Sequence, residues 1–188
     1  MKHEEIISKV RDILNEHGGD DELGIVDDRV LLREYIESAI PDAVVMLASK
    51  GYEVNVKDIR PFSFEDADVE GMEFISLISA KDGAWKKTVT KLTDINSDEF
   101  VFAQNEFTAP GVNNPIVYMQ YGMLSSIPYQ TDKTEISFNK KYSPEEGINA
   151  ATKEATAVCY VTAAIVMGMF GDDGAMKRLN ELAIQYLE

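Results

Sequence analysis

Residues 143–170 read SPEEGINAATKEATAVCYVTAAIVMGMF, and this stretch decides the fold. It opens on Ser143-Pro144-Glu145-Glu146, which has the form of a capping box: serine at the N-cap, proline at the first helical position and glutamate three residues after the cap. The spacing predicts a helix starting there. Ile148, Ala151, Ala155, Val158, Thr162, Ile165, Val166 and Met169 carry it forward at intervals of three and four, and Gly171 ends it. Its many small residues permit close packing against other helices. The run 155–170 is the most apolar in the chain, but Thr156, Thr162 and Gly168 interrupt it and it is short of the roughly 20 residues that span a bilayer. It is expected to be a buried helix. Asp172 or Asp173 can cap a last helix that carries Met176, Leu179, Leu182, Ala183 and Tyr186 on one face.

The other end of the chain is helical as well. Across residues 4–17, Ile6, Ile7, Val10, Ile13 and Leu14 recur at helical spacing with charges between them, and Gly18-Gly19 follows as a stop. An acidic loop spans residues 20–28. Asp27 or Asp28 is a suitable N-cap for a long second helix bearing Val30, Leu31, Tyr35, Ile36, Ala39, Ile40, Ala43, Val44 and Leu47. Pro41 lies inside it, so the helix kinks there or two shorter helices meet, and Gly51 ends the element.

Between the helical ends the composition turns β-favouring. Residues 52–71 read as a loop with one short strand, and Arg60-Pro61 is turn-like. Short strands are expected at 74–78, 88–92, 99–102, 116–121, 124–129 and 135–139, separated by Asp82-Gly83, Asn96-Ser97-Asp98, residues 111–115 and Thr131-Asp132. Strands so punctuated imply an antiparallel sheet, with the imperfectly alternating 116–121 segment near its centre. Helices this far apart in sequence can share a core only if the middle is an insertion. The expected fold is thus α+β, one folding domain: core helices from residues 1–51 and 143–188 forming a helical bundle, and an inserted antiparallel β-rich region at 52–142.

At 188 residues such a chain buries about 70% of its unfolded surface, enough for one sizeable core. Cys159 is the sole cysteine, so no internal disulfide forms; among Ala157, Val158, Tyr160 and Val161 it reads as a small core side chain before a nucleophile. Residues 1–5 lead straight into amphipathic sequence, with no secretion signal expected. Thirty-three acids against 18 Lys plus Arg give a net charge of −15, which opposes binding to phosphate backbones. That acidity serves solubility, and would also suit a surface past which DNA must move without sticking.

Catalytic constellations are missing from the sequence. His3 and His17 are the only histidines; His3 sits at an end expected to fray, and His17 complements a helix C-terminus. Zinc sites of the usual composition and Ser-His-Asp or Cys-His catalysis therefore lack partners. The phosphate-cradling glycine loops are also absent. Asp66-x-Asp68-x-Glu70-Gly71 mimics the first half of a calcium loop, but the twelfth position falls on Leu77 where a bidentate glutamate is needed. A solvated acidic loop is the simpler reading. No cofactor, metal or catalytic residue is assigned. Trp85 lies in Lys81-Asp82-Gly83-Ala84-Trp85-Lys86-Lys87, a basic patch in an acidic chain. Its indole either packs on the sheet or, with Lys86 and Lys87, contacts a neighbouring subunit.

Five segments taken in order carry a resemblance: Ile7-x-x-Val10-Arg11-x-Ile13-Leu14-Asn15-Glu16, Leu32-x-Glu34-Tyr35-Ile36-x-x-Ala39-Ile40-Pro41-Asp42-Ala43, the Trp85 segment, Asn114-Pro115-Ile116-Val117-Tyr118, and Tyr142-Ser143-Pro144-Glu145-Glu146. So ordered, the chain resembles the head-to-tail connector, or adaptor, proteins that form neck rings below the portal of tailed phages, of podovirus or crAss-like type. The resemblance implies a non-enzymatic virion subunit, made in the host cytoplasm, whose helical core packs side by side with copies of itself in a ring, often dodecameric. It implies contacts with the portal and with other neck or tail proteins, no membrane, and genomic DNA only as a passing strand. The acidic loops at Asp20, Asp21 and Glu22 and at Asp66, Asp68 and Glu70 are then candidates for lining the DNA conduit. Some adaptors grip the portal with a long C-terminal tail, whereas this sequence runs to Tyr186-Leu187-Glu188 and no such tail is expected. A non-catalytic binding or regulatory module unrelated to virions is the alternative, and an enzyme using carboxylates and a divalent metal is the third.

Overall fold

Helix α1 (His3–His17) buries Ile6, Ile7, Val10, Ile13 and Leu14, the stripe its spacing dictates, with Glu4 and Glu5 in the first turn where the helix dipole favours acids. The computed structural model describes residues 1–17, 29–65, 67–105, 111–128 and 134–188. Asp27 and Asp28, candidate caps of the second helix, lie outside them. Helix α2 (Arg29–Ser49) runs as one element through Pro41. Ile36, Ala39, Ile40, Ala43, Val44, Leu47 and Ala48 are buried along it. It ends where Gly51 takes a positive φ of 91° and the Tyr52 amide donates back to the Leu47 carbonyl at 3.2 Å.

The chain divides into two compact units. One is Met1–Asn55 with Lys141–Glu188, the other Val56–Lys140. In the first, helix α4 (Thr152–Met169) packs against α1, α2 and helix α5 (Asp173–Leu187). Ala155, Ala157, Val158, Cys159, Val161, Ala163, Ala164, Val166 and Met167 are all buried, so α4 is apolar almost all round because it has neighbours almost all round. A Cβ at Gly168 would stand 2.9 Å from the Met176 sulfur of α5, which shows how closely these two helices approach. Asp172 caps α5, accepting from the Ala175 amide at 2.8 Å.

The capping box does not start α4. Residues 143–147 form a tight turn in which the Gly147 amide donates to the Ser143 carbonyl at 2.9 Å. Gly147 has φ +73°, which breaks the helix before its first turn closes. The Met1 ammonium donates to the Ile148 carbonyl at 2.6 Å, and the Ile148 amide returns a bond to the Met1 carbonyl at 2.9 Å. Pairing with the chain start thus outcompetes the local signal, and α4 begins after Ala151, an N-cap with no side-chain bond.

In the second unit, β1 (Val56–Ile59), β5 (Glu135–Lys140) and β2 (Phe74–Lys81) form an antiparallel sheet in the order β1-β5-β2. A separate hairpin pairs β3 (Ile116–Gln120) with β4 (Met123–Ile127). The segment expected at the centre of a single sheet is therefore one arm of a hairpin, and β5 is central instead. Residues 99–102 belong to helix α3 (Asp98–Ala103), not a strand: Ser97 caps it, accepting from the Phe100 amide at 3.2 Å, and Asp98 and Glu99 fill the acidic first turn. These N-terminal signals outweigh the β-favouring Phe and Val that follow. Residues 88–92 also form no strand, apart from one bridge between Val89 and Ala80. Phe62, Phe64, Phe74, Leu77, Phe138 and Leu124 belong to this unit's core.

The result is a mixed α+β fold with antiparallel sheets. Among the described residues no helix is long and apolar enough to cross a membrane.

Candidate functional site

Three surfaces carry the features from which a function can be argued, and each is built by a different part of the sequence. The first lies on α2. Leu31 and Val45 are about four helical turns apart and so share a face, and Tyr35 and Met46 flank that line. All four are between 39% and 46% exposed. At the end of α4, Met169 and Phe170 are also exposed, and Phe170 meets Tyr35 edge to face with ring centroids 5.2 Å apart. The open side of α2 thus carries large apolar side chains in two groups, Leu31 with Tyr35 and Val45 with Met46, with the exposed Ser38 and Asp42 between them. Scattered exposed apolar residues are ordinary, but large ones gathered along a helix mark a contact surface.

The second is a polar knot at the start of the chain. Arg33 donates to both Glu4 oxygens, at 2.5 and 3.2 Å, and its Nε donates to Glu37 Oε1 at 2.7 Å. The Arg33 guanidinium holds both carboxyls below the usual carboxylate range, and Glu37 gains further from His3. His3 Nε2 lies 3.3 Å from Glu37 and its Nδ1 2.5 Å from the Tyr142 hydroxyl. Burial, then the nearby Glu37 and Glu4, push Tyr142 up to about 12, so the phenol keeps its proton at neutral pH while it shares a hydrogen bond with His3 Nδ1 and Nε2 faces the carboxylate. His3, expected at a fraying end, is instead fixed, because Met1 pairs with Ile148. Nothing local in the sequence announces this, since Tyr142 is 139 residues away.

The third is the basic patch. Trp85 is only 6% exposed and belongs to the core with Phe62, Phe74 and Phe138. It is withdrawn from the candidate contact, and its Nε1 is buried without a hydrogen-bond partner among the described residues. Lys86 and Lys87 are exposed, and Lys87 Nζ donates to Asn114 Oδ1 at 2.9 Å. Beside them a cavity of about 500 Å3 opens between residues 87–93 and 114–116, with Phe102 and Ala103 of α3 contributing to its wall. Nothing in the residue pattern announces this cavity, because 99–102 reads as a strand.

The acidic candidates fare differently. Asp20, Asp21, Glu22 and Asp66 lie outside the described residues. Asp68 is occupied structurally: its carboxylate accepts from the Glu70 and Gly71 amides at 3.2 and 3.0 Å, making a turn. Glu70 is exposed. Among the described residues no group of three or more His, Cys, Asp or Glu is placed to hold a metal ion. Cys159 is fully buried, its thiol pushed up to about 11 by that burial, and it donates to the Ala155 carbonyl at 3.3 Å.

The chain matches no protein-family model and no curated protein.

Proposed function

We propose that this chain is a structural subunit of a phage head-to-tail connector, a ring in the virion neck that joins portal to tail and forms part of the DNA conduit. The observation that carries this reading is the set of large apolar side chains exposed on α2, Leu31 and Tyr35 near its start and Val45 and Met46 near its end, with Phe170 against Tyr35. Large apolar side chains exposed at both ends of α2 suit a second partner, and a ring would supply it from the adjacent copy. The helical core drawn from both chain ends then makes the sidewise contacts, in a ring that is often dodecameric in the family resembled. A net charge of −15, with Glu70 at an exposed turn, repels phosphates and eases DNA passage. Portal, neck and tail proteins are the proposed partners, and the host cytoplasm is the site of synthesis before assembly.

Immunogold or density mapping of virions tests this directly. The neck should be labelled, and a protein found only in the soluble fraction of infected cells would sink the reading in favour of an unrelated binding module. A paired variant, Val45→Glu with Met46→Glu, should leave the circular dichroism spectrum unchanged and abolish incorporation. Normal incorporation would remove α2 from the interface.

A further inference from the structure

The tip of the β3-β4 hairpin presents a tyrosine that the fold does not use, and we infer that Tyr121 of one copy docks on the Lys86-Lys87 segment of a second copy. Tyr121 and Gly122 have φ of 52° and 78° and lie between the paired residues Gln120 and Met123, which makes a two-residue turn of type I′. Its first position favours Asn, Asp or Gly, and a bulky side chain there holds the backbone under strain. The ring recovers nothing inside the molecule: Tyr121 is 94% exposed, the most exposed large hydrophobic side chain among the described residues. The tip is also anchored on both sides. The Val69 amide donates to the Gly122 carbonyl at 2.9 Å and the Leu124 amide to the Ala67 carbonyl at 3.0 Å, while across the hairpin the Thr93 amide donates to the Val117 carbonyl at 2.8 Å. An aromatic ring held in strain on a fixed turn and turned wholly to solvent suits a contact made outside the chain, where its large amphipathic surface is buried.

Charge chooses the partner. Residues 61–80 contain acids and no Lys, Arg or His. Of those acids, Glu70 and Glu73 are exposed in the turn that the bond from Val69 to Gly122 seats beside the tip, and the Glu73 amide donates to the Glu70 carbonyl at 3.0 Å. The opposite end of β3 is basic. Residues 83–93 contain Lys86, Lys87 and Lys91 and no acid, and all three lysines are exposed. The Lys86 amide donates to the Val112 carbonyl at 2.7 Å and Lys87 Nζ to Asn114 Oδ1 at 2.9 Å, which fixes this segment just ahead of the strand. The strand between the two ends is about 17 Å long, more than a lysine side chain spans, so the tip meets the basic end only in another copy. Carboxylates against lysines set the sense of docking, and the face of the Tyr121 ring accepts an ammonium. Exposed pairs of this kind are individually weak, so the contact is salt-sensitive and gains strength by repetition around a closed assembly. The geometry of the tip stands by itself; the choice of a second copy as partner rests on the ring reading. Of the candidate conduit acids, Glu70 is thereby assigned to a contact between copies.

Photo-cross-linking from the tip tests this on full-length protein. A 14N chain carrying p-benzoylphenylalanine in place of Tyr121 is irradiated with an excess of 15N-labelled chain that lacks the probe. Links from the probe to 15N peptides containing residues 83–93 are expected. Links confined to one copy, links to other peptides, or no links overturn the inference. Lys86→Glu with Lys87→Glu in the 15N chain should cut these links at least tenfold, and Glu70→Lys with Glu73→Lys in the probe chain should restore them; loss without restoration also overturns it. Tyr121→Asn separates contact from folding: asparagine suits the turn, so the melting temperature should hold or rise while association between copies falls at least tenfold. Unchanged association in that variant overturns the inference. A chain found in the neck without links to residues 83–93 of another copy refutes the docking and spares the ring, and such links in a chain absent from virions do the reverse.

Discussion

The Asn55 side-chain amide donates to the Lys141 carbonyl at 3.1 Å, joining two residues 86 apart in sequence at the places where the chain leaves the first unit and returns to it. Asn55 is fully buried, and its Oδ1 accepts from the Asn149 amide at 3.1 Å. Just beyond, Val56 pairs with Asn139 as β1 runs antiparallel to β5. One side chain therefore holds both passages of the chain and the turn before α4. Asn55→Ala removes two hydrogen bonds from a buried site and should destabilise by about 1–3 kcal/mol. Urea unfolding should show a lower midpoint at unchanged slope. Asn55→Asp, of the same shape, should be worse at pH 7 than at pH 4, because a buried carboxylate facing a carbonyl is tolerated only when protonated.

Gly147 and Gly51 both have positive φ, at 73° and 91°, yet their surroundings differ. A Cβ at Gly147 would lie 2.4 Å from the Met1 carbonyl oxygen, whereas one at Gly51 meets nothing within 4 Å. Gly51→Ala should cost about 1 kcal/mol of backbone strain. Gly147→Ala should cost at least about 2 kcal/mol, since the strain is joined by a clash that forces Met1 from Ile148. Equal melting temperatures for the two variants would show that the Met1 pairing contributes nothing.

Periodicity made α1, α2 and α5 legible because each keeps its partners within a few residues: Ile6 to Leu14 on one face, Asp172 on its own first turn. The start of α4 was not, because the bonds that replace the capping box come from Met1, and sequence spacing carries no trace of so distant a partner. Helix α3 was readable in principle from Ser97-Asp98-Glu99 but was masked by Phe100, Val101 and Phe102, whose β preference reports burial as much as backbone. Trp85 could be assigned to core or contact but not chosen between, since that choice depends on where Phe62 and Phe138 arrive.

Tyr142 ties stability to alkaline pH. Its folded value is raised from about 10 to about 12 by burial and by Glu37 and Glu4. Its contribution is therefore complete below pH 10 and lost as pH rises toward 12. Tyr142→Phe removes the bond to His3 and should cost about 1 kcal/mol at neutral pH. The gap between variant and wild type should shrink above pH 10 as the wild type alone acquires a phenolate to accommodate. A constant gap from pH 7 to pH 11.5 would mean that the hydroxyl is solvated in both states.

The carboxylates around Arg33 act at the other end of the scale. Glu4 and Glu37 titrate below the usual range because Arg33 bonds to both, so their contribution is present above that range and lost as pH falls through the lowered values. Arg33→Met should lower the melting temperature at pH 7 and have a smaller effect at pH 2, once the pH has fallen through the lowered values of the two acids. Because these groups are largely exposed, 0.5 M salt should shrink the neutral-pH effect as well. An effect equal at both pH values would assign Arg33 a packing role only.

Cys159 offers a probe of how the first unit opens. Burial raises its thiol to about 11, so at pH 8 its thiolate fraction is roughly two hundredfold below that of a free cysteine. No part of the side chain is exposed, with the Ala155 carbonyl and the Met1 sulfur as its polar neighbours. An aromatic disulfide reagent should therefore label native protein at least a hundredfold more slowly than protein in urea. Because Met1 is held by Ile148, Gly147→Ala should accelerate the labelling while Gly51→Ala leaves it near the native rate. If both variants react alike, access to Cys159 runs through general unfolding and not through release of the chain start.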